Sequence, residues 1–285
     1  MIGDIAASIA GEHADVQTLL KEGVDPHIYA PTAADVRRIT SADLLLFNGL
    51  LLEGVMQDSL EARPNSLAVA ASLDASRLLT PDNFAGHPDP HVWMDVALWS
   101  ETVPAVRDRL AELLPDEAAA VAANADAITR RLARLDEYVK SVLASVPEPR
   151  RKLVTAHDAF SYFSRAYDIK VFAVQGVSTE SEAGVEDVSR LVSLIVDEQI
   201  PAVFMEESVA ARNLNAVIEG VRARGGEVAI GGTLYSDSTG RPGTWEATYF
   251  GMIDHNVNTI AAALGGSVPE GGFRGWEKSA ETPTE

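Results

Sequence analysis

Two tripeptides in this chain carry residue types suited to holding a metal ion, Asp25-Pro26-His27 and Asp89-Pro90-His91. Proline restricts its own φ and an Asp-Pro pair favours a turn, so each following imidazole leaves the turn in a limited range of directions. Met once, such a tripeptide is ordinary turn chemistry. Met twice, it offers two nitrogen donors from distant parts of the chain. His157 follows the apolar run at 152–156, and Asp237 sits in Tyr235-Ser236-Asp237-Ser238 beyond the last apolar run. Three imidazoles and one carboxylate suit tetrahedral Zn²⁺, and the same nitrogen and oxygen atoms accept Mn²⁺ or Fe²⁺. Taken singly, each has a plainer reading: a His after a strand is commonly a hydrogen-bonded structural residue, and an Asp before Ser-Thr-Gly commonly bonds its own backbone. His13 in a polar turn and His255 inside the last helix read as structural, and His87 as a solvated loop residue. With ordinary imidazole pKa values of about 6.5, metal affinity is expected to fall below about pH 6.

The elements that must position these groups are readable from periodicity. Short apolar runs at 16–20, 42–48, 67–71, 152–156, 170–174, 202–206 and 227–230 read as strands. Helical spacing covers 1–10, a segment opening at 31–35, 53–60, a helix running from His91 through Trp93 and Trp99, an aromatic helix after His157, and 185–198, 213–224 and 249–264. The chain then closes as a polar tail. Alternating helices and buried strands predict parallel α/β sheets. Residues 116–146 carry Ile128, Leu132, Leu135, Val139 and Val142 at helical spacing. A helix of about 30 residues would be roughly 45 Å long, more than one compact lobe needs. The apolar repeat is too short for a coiled coil, so this segment reads as a helix joining two lobes. The expected organisation is an N-terminal α/β lobe at 1–114, a linking helix at 115–146 and a C-terminal α/β lobe at 147–285. In open α/β sheets, ligands bind beyond the carboxyl ends of the strands. His27, His157 and Asp237 leave strand ends, and His91 follows the loop that closes the first half. With two donors from each half, the site is expected in the cleft between lobes. Of Glu206-Glu207, which point to opposite faces of a strand, at least one is expected to support the site, act as a hinge or face solvent.

Composition narrows the function further. A net charge of −19 argues against nucleic acid as a partner. Zero cysteines excludes disulfides, thiolate metal sites and a cysteine nucleophile. No run approaches the length of a membrane span, and no signal peptide precedes the first helix. There is no Gly-x-Ser-x-Gly elbow, phosphate-binding loop, His-Glu-x-x-His helix or dinucleotide fingerprint.

With these residues assembled, the sequence resembles the zinc/manganese (cluster A-I) solute-binding proteins of bacterial ABC transporters, and the TroA-type members in particular. The resemblance rests on Gly-Val-Asp-Pro-His-Ile-Tyr with Thr32 and Asp35, Ala-Asp-Leu-Leu-Leu-Phe-Asn-Gly-Leu, and Asp-Pro-His-Val-Trp-Met-Asp. It continues through Thr-Ala-His-Asp-Ala-Phe-Ser-Tyr-Phe, Gln-Gly-Val-Ser-Thr-Glu, and Tyr-Ser-Asp-Ser with His255-Asn256. It implies two α/β lobes on one long helix, metal ligands at His27, His91, His157 and Asp237, no catalysis, and delivery of zinc, with manganese as the alternative, to ABC permease subunits. It also implies a monomer in the periplasm or anchored at the cell surface. Two departures stand out. Many zinc-specific relatives carry a His-rich loop before the second ligand motif, and here only His87 is present. Family members also have a signal segment and a strand ahead of the first helix, so an upstream export signal and first strand are expected to precede Met1. The rival readings are a zinc hydrolase with three protein ligands and a reactive water, and a surface adhesin of the same fold.

Overall fold

The computed structural model describes residues 1–281. Helix α1 (Ile2–Ala10) buries Ile5, Ala6 and Ile9 along one face, as their spacing predicts. Helix α2 (Ala33–Ser41) starts at a capping box in which Asp35 N–H donates to Thr32 Oγ1 and Thr32 N–H donates to the Asp35 carboxylate at 2.9 Å. Strand β1 (Leu45–Phe47), helix α3 (Gln57–Glu61) and strand β2 (Ser66–Ala68) follow, with β1 and β2 paired in parallel. Helices α4 (Val96–Ser100) and α5 (Val103–Leu113) complete the first lobe. Helix α6 (Ala118–Ala144) has 27 residues and is therefore about 40 Å long.

The second lobe repeats the alternation with strand β3 (Lys152–Thr155), helix α7 (Ser161–Tyr167), strand β4 (Lys170–Ala173) and helix α8 (Val185–Asp197). Strand β5 (Ala202–Glu206), helix α9 (Arg212–Ala223), strand β6 (Ala229–Leu234), and helices α10 (Tyr249–Leu264) and α11 (Gly272–Glu281) complete it. Strands β3 and β4 pair in parallel, as do β5 and β6, and β3 lies beside β5. The two α/β lobes meet on α6. Its Leu132, Leu135, Tyr138 and Val139 are fully buried in one core that takes in Ile5 and Trp99 from the first lobe and Phe163, Ile253 and Phe273 from the second. At about 1.5–3 kcal/mol for each buried large apolar side chain, this shared core resists wide separation of the lobes. No helix among the described residues is long and apolar enough to cross a membrane.

Four expectations are corrected. Residues 16–20 form no strand: a cavity of about 760 Å³, lined by Leu19, Leu44, Leu46, Trp99 and Leu110 among others, lies between them and β1, so the segment finds no ladder to join. The helix expected through Trp93 and Trp99 is broken. A 3₁₀ turn at Val92–Met94 ends at Asp95, whose Oδ1 accepts the Leu98 N–H at 3.0 Å and starts α4 anew. The strand expected at 227–230 runs further, through Gly231 and Gly232 to the end of β6. The register shifts between Val203 and Phe204, leaving Gly231 as a bulge. A Cβ at Gly231 would meet Phe204 Cε1 at 2.6 Å, and one at Gly232, whose φ is +146°, would meet Thr259 Cγ2 at 2.4 Å, so only glycine lets α10 approach. Finally, the polar tail contains α11. Phe273 is completely buried, its N–H donates to Asp254 Oδ1 at 2.8 Å, and its ring stacks on Phe250 with 6.2 Å between centroids.

Candidate metal centre

Two of the four candidate donors are aimed by an aspartate two residues earlier, and the other two by groups remote in the chain. His157 leaves the end of β3, where Glu206, the last residue of the adjacent β5, grips it. Glu206 Oε1 accepts the N–H groups of Ala156 and His157 at 2.7 and 2.9 Å, and Oε2 lies 2.6 Å from His157 Nδ1. Glu207 faces solvent. His91 is held by Asp89, whose Oδ1 accepts the His91 N–H at 2.9 Å and lies 2.7 Å from its Nδ1. The loop carrying both is pinned from the second lobe by Tyr162, whose hydroxyl donates to Asp89 O at 2.9 Å. Asn48 at the end of β1 pins it too, donating to Pro90 O at 3.0 Å. Asp237 follows β6. Asn256 on α10 accepts the Tyr235 N–H at 2.9 Å and donates to Tyr235 O at 2.7 Å, and Trp93 Nε1 donates to Ser236 O at 2.9 Å. His27 leaves its turn with its N–H donated to Asp25 Oδ1 at 2.9 Å, and its Nδ1 has no hydrogen-bond partner.

A ring Nδ1–H donated to a carboxylate leaves the Nε2 lone pair free for a cation. His91 and His157 are oriented in this way, and their Nε2 atoms lie 3.4 Å apart. His27 Nε2 lies 3.4 Å from His91 Nε2. Asp237 places Oδ1 3.4 Å from His91 Nε2 and Oδ2 3.2 Å from His157 Nε2, but neither oxygen accepts an aligned hydrogen bond. Donors at 2.0–2.1 Å around a tetrahedral ion are separated by about 3.3–3.4 Å, so the two imidazole–imidazole contacts have that spacing, while the carboxylate reaches His91 and His157 with different oxygens. The His27–Asp237 edge, at 3.9 Å, is wider. All four donor atoms lie within 4.8 Å of one another, and all four residues are buried. His13, His87 and His255 stay outside the cluster: His13 faces Glu117, His87 sits against the Phe84 ring, and His255 Nε2 meets Thr233 O at 2.9 Å.

The electrostatics divide the set. Burial lowers the pKa of His27 to about 3, overcoming the attraction of Asp237. Burial also opposes charge on His91, but Asp89 and Asp237 outweigh it and push the imidazole up to about 9. His157 is likewise raised well above its ordinary value, with Glu206 and Asp237 overcoming burial. Asp237, despite burial, is held well below the usual carboxylate range by His157 and His91. Without metal, two positive imidazoles therefore compensate Asp237. A divalent cation held by these four residues would take over that role and displace their protons. The ordinary imidazole pKa behind the expected loss of affinity below about pH 6 does not apply at His91 and His157, whose carboxylate partners raise them and so extend proton competition to higher pH.

Sequence reasoning reached Glu206 as a candidate support and Asp25 as the residue aiming His27. Asn48, Tyr162, Thr179 and Asn256 lie within the motifs that carry the resemblance, but their roles depend on partners far away in the chain, which no local signal marks.

Comparison with known proteins fits this geometry. Residues 1–263 match the family model described as zinc-uptake complex component A, periplasmic (ZnuA). The manganese-binding lipoprotein MntA of Bacillus subtilis is 43% identical over 266 residues, covering 92% of this chain and 87% of that protein. The zinc-binding protein TroA of Treponema pallidum is 44% identical over 267 residues, covering 93% and 86%. The solved structure of periplasmic TroA superposes with a TM-score of 0.89, covering 93% of this chain and 96% of that one. Iron(III)-bound YtgA of Chlamydia trachomatis superposes at 0.85 with 28% identity, covering 94% and 96%. The chain belongs to the ZnuA family, the metal-binding components of ABC transporters.

Proposed function

We propose that this protein captures zinc outside the cytoplasm through His27, His91, His157 and Asp237 and hands it to the membrane permease of an ABC transporter. The observation that carries this reading is the convergence of three buried imidazoles and one carboxylate, with one donor atom from each all within 4.8 Å of one another and four of the contacts at 3.2–3.4 Å, near the spacing of a small tetrahedral ion. Manganese favours larger shells richer in oxygen, which argues for zinc, as does the general order of affinity at nitrogen-rich sites. Manganese is the second reading, supported by the likeness to MntA at nearly the same identity as to TroA.

The protein does not work as a hydrolase, because Asp237 takes the fourth position that a reactive water would need. It acts as a monomer in the periplasm or anchored at the cell surface. Its net charge of −19 disfavours nucleic acid. The lobes at 1–114 and 147–285 close modestly about the linking helix at 115–146. Metal analysis of protein from its native compartment, followed by competitive titration with Zn²⁺ and Mn²⁺, tests the choice of cargo. Zinc should be bound at one equivalent and should displace manganese. Retention of manganese against equimolar zinc would reverse the assignment. Hydrolytic activity lost in Asp237→Ala with metal affinity intact would favour the enzyme reading.

A further inference from the structure

Of the three imidazoles, His27 alone lacks a carboxylate on Nδ1, and it has the widest measured edge to Asp237. Its direction is set through its backbone, by the Asp25 carboxylate. The same carboxylate reaches across the cleft: Oδ1 accepts the His27 N–H at 2.9 Å, and Oδ2 accepts the hydroxyl of Thr179 at 2.6 Å. Thr179 belongs to the loop between β4 and α8 of the second lobe. On the other flank of the His27 turn, Gly23 approaches Glu207 O, and a cross-cleft ion pair there joins Glu22 to the highly exposed Arg241, where solvent screens it. Behind His27, Gly54 sits so close to His27 O that a Cβ would fall 2.1 Å from it, which blocks retreat in that direction.

We propose that Thr179 is a positioning residue of the second lobe that holds His27 of the first lobe on the metal, through Asp25, only while the lobes are together. The inference rests on the metal-capture reading. Parting of the lobes breaks the Thr179–Asp25 bond, frees the Asp25 side chain to turn and loosens His27, while Asp89 and Glu206 keep His91 and His157 in place. Release thus begins at one defined ligand.

The test compares the unaltered protein with Thr179→Val, which keeps shape and loses the hydroxyl, and with Thr179→Ser, which keeps the hydroxyl. Zinc transfer to a chromophoric chelator gives the dissociation rate, Co²⁺ absorption reports ligand geometry, and melting of the metal-free protein controls for folding. Thr179→Val should release zinc about tenfold faster, the effect of losing one hydrogen bond to a charged acceptor. It should also shift the Co²⁺ bands and melt unchanged when metal-free, and Thr179→Ser should restore rate and spectrum. An unchanged rate in Thr179→Val, or faster release in Val and Ser alike, would overturn the proposal. Failure of the unaltered protein to bind zinc or cobalt would instead overturn the reading beneath it.

Discussion

In both Asp-Pro-His copies the aspartate Oδ1 accepts the N–H of the histidine two residues on, at 2.9 Å. In the second copy the same oxygen also lies 2.7 Å from Nδ1 of that histidine, whereas in the first copy the ring nitrogen has no partner. Asp89 is fully buried beneath a loop pinned by Tyr162 and Asn48. Asp25 is half-buried at the cleft, and its second oxygen reaches the opposite lobe. The titration of the two histidines diverges accordingly, with His91 pushed up to about 9 and His27 lowered to about 3. One tripeptide thus gives a candidate ligand whose ring is held by its own aspartate in one place, and in the other a candidate ligand whose aspartate turns to the opposite lobe instead. What differs is the surroundings, and the local turn is the same.

The comparison can be broken at the ligands themselves. Dividing the roughly 10–16 kcal/mol of a structural zinc site among four ligands gives about 2.5–4 kcal/mol each, on the order of a hundredfold or more in affinity. His91→Ala should reach that loss in a competitive chelator titration, and His27→Ala should lose less. Equal losses would erase the distinction between the copies.

Protons sharpen it next. At pH 7 His91 and His157 carry protons that metal must displace, whereas His27 carries none. Zinc binding should release about two protons and weaken by up to ~100-fold per unit fall in pH below His91's pKa of about 9. Calorimetry in buffers of different ionisation enthalpy counts the protons, and a count near zero would contradict the assignment. At the carboxylates, Asp89→Asn should cost ~10–100-fold in affinity, as expected when a ligand's orienting partner is lost. Asp25→Asn, which leaves Nδ1 untouched, should cost about tenfold or less. The smallest effect concerns the metal-free fold. Because the folded-state pKa of His91 is raised, its pairing stabilises fully below the ordinary imidazole value and is lost as pH rises through about 9. Thermal melts of metal-free protein should therefore decline between pH 7 and 9.5, while zinc-loaded protein should not show this decline.

How much of this was legible in the sequence depended on where the partners lay. The four residues that form the buried cluster, His27, His91, His157 and Asp237, were legible as candidates because Asp-Pro turns and strand ends are local signals. The bounds of β5 at Ala202–Glu206 and the long α6 followed from uninterrupted apolar patterns. The segment at 16–20 has the composition of a strand, but pairing is a property of the sheet and not of the segment. Gly231 and Gly232 looked like punctuation, although they mark the close approach of α10 and the ring of Phe204. In α11 only Phe273 and Trp276 give an apolar stripe, and the buried Asp254 that anchors it lies 19 residues earlier. Thr179 stands in the Gln-Gly-Val-Ser-Thr-Glu motif, but its role was hidden for the same reason, since its partner Asp25 is 154 residues away.

The most direct measurement is X-ray absorption fine structure of the zinc-loaded protein. Three imidazoles and one carboxylate oxygen as a four-coordinate shell, with donors at about 2.0–2.1 Å, are the expected result. A shell with two imidazoles or fewer, or with five or six light donors at longer distance, would contradict the four-residue site.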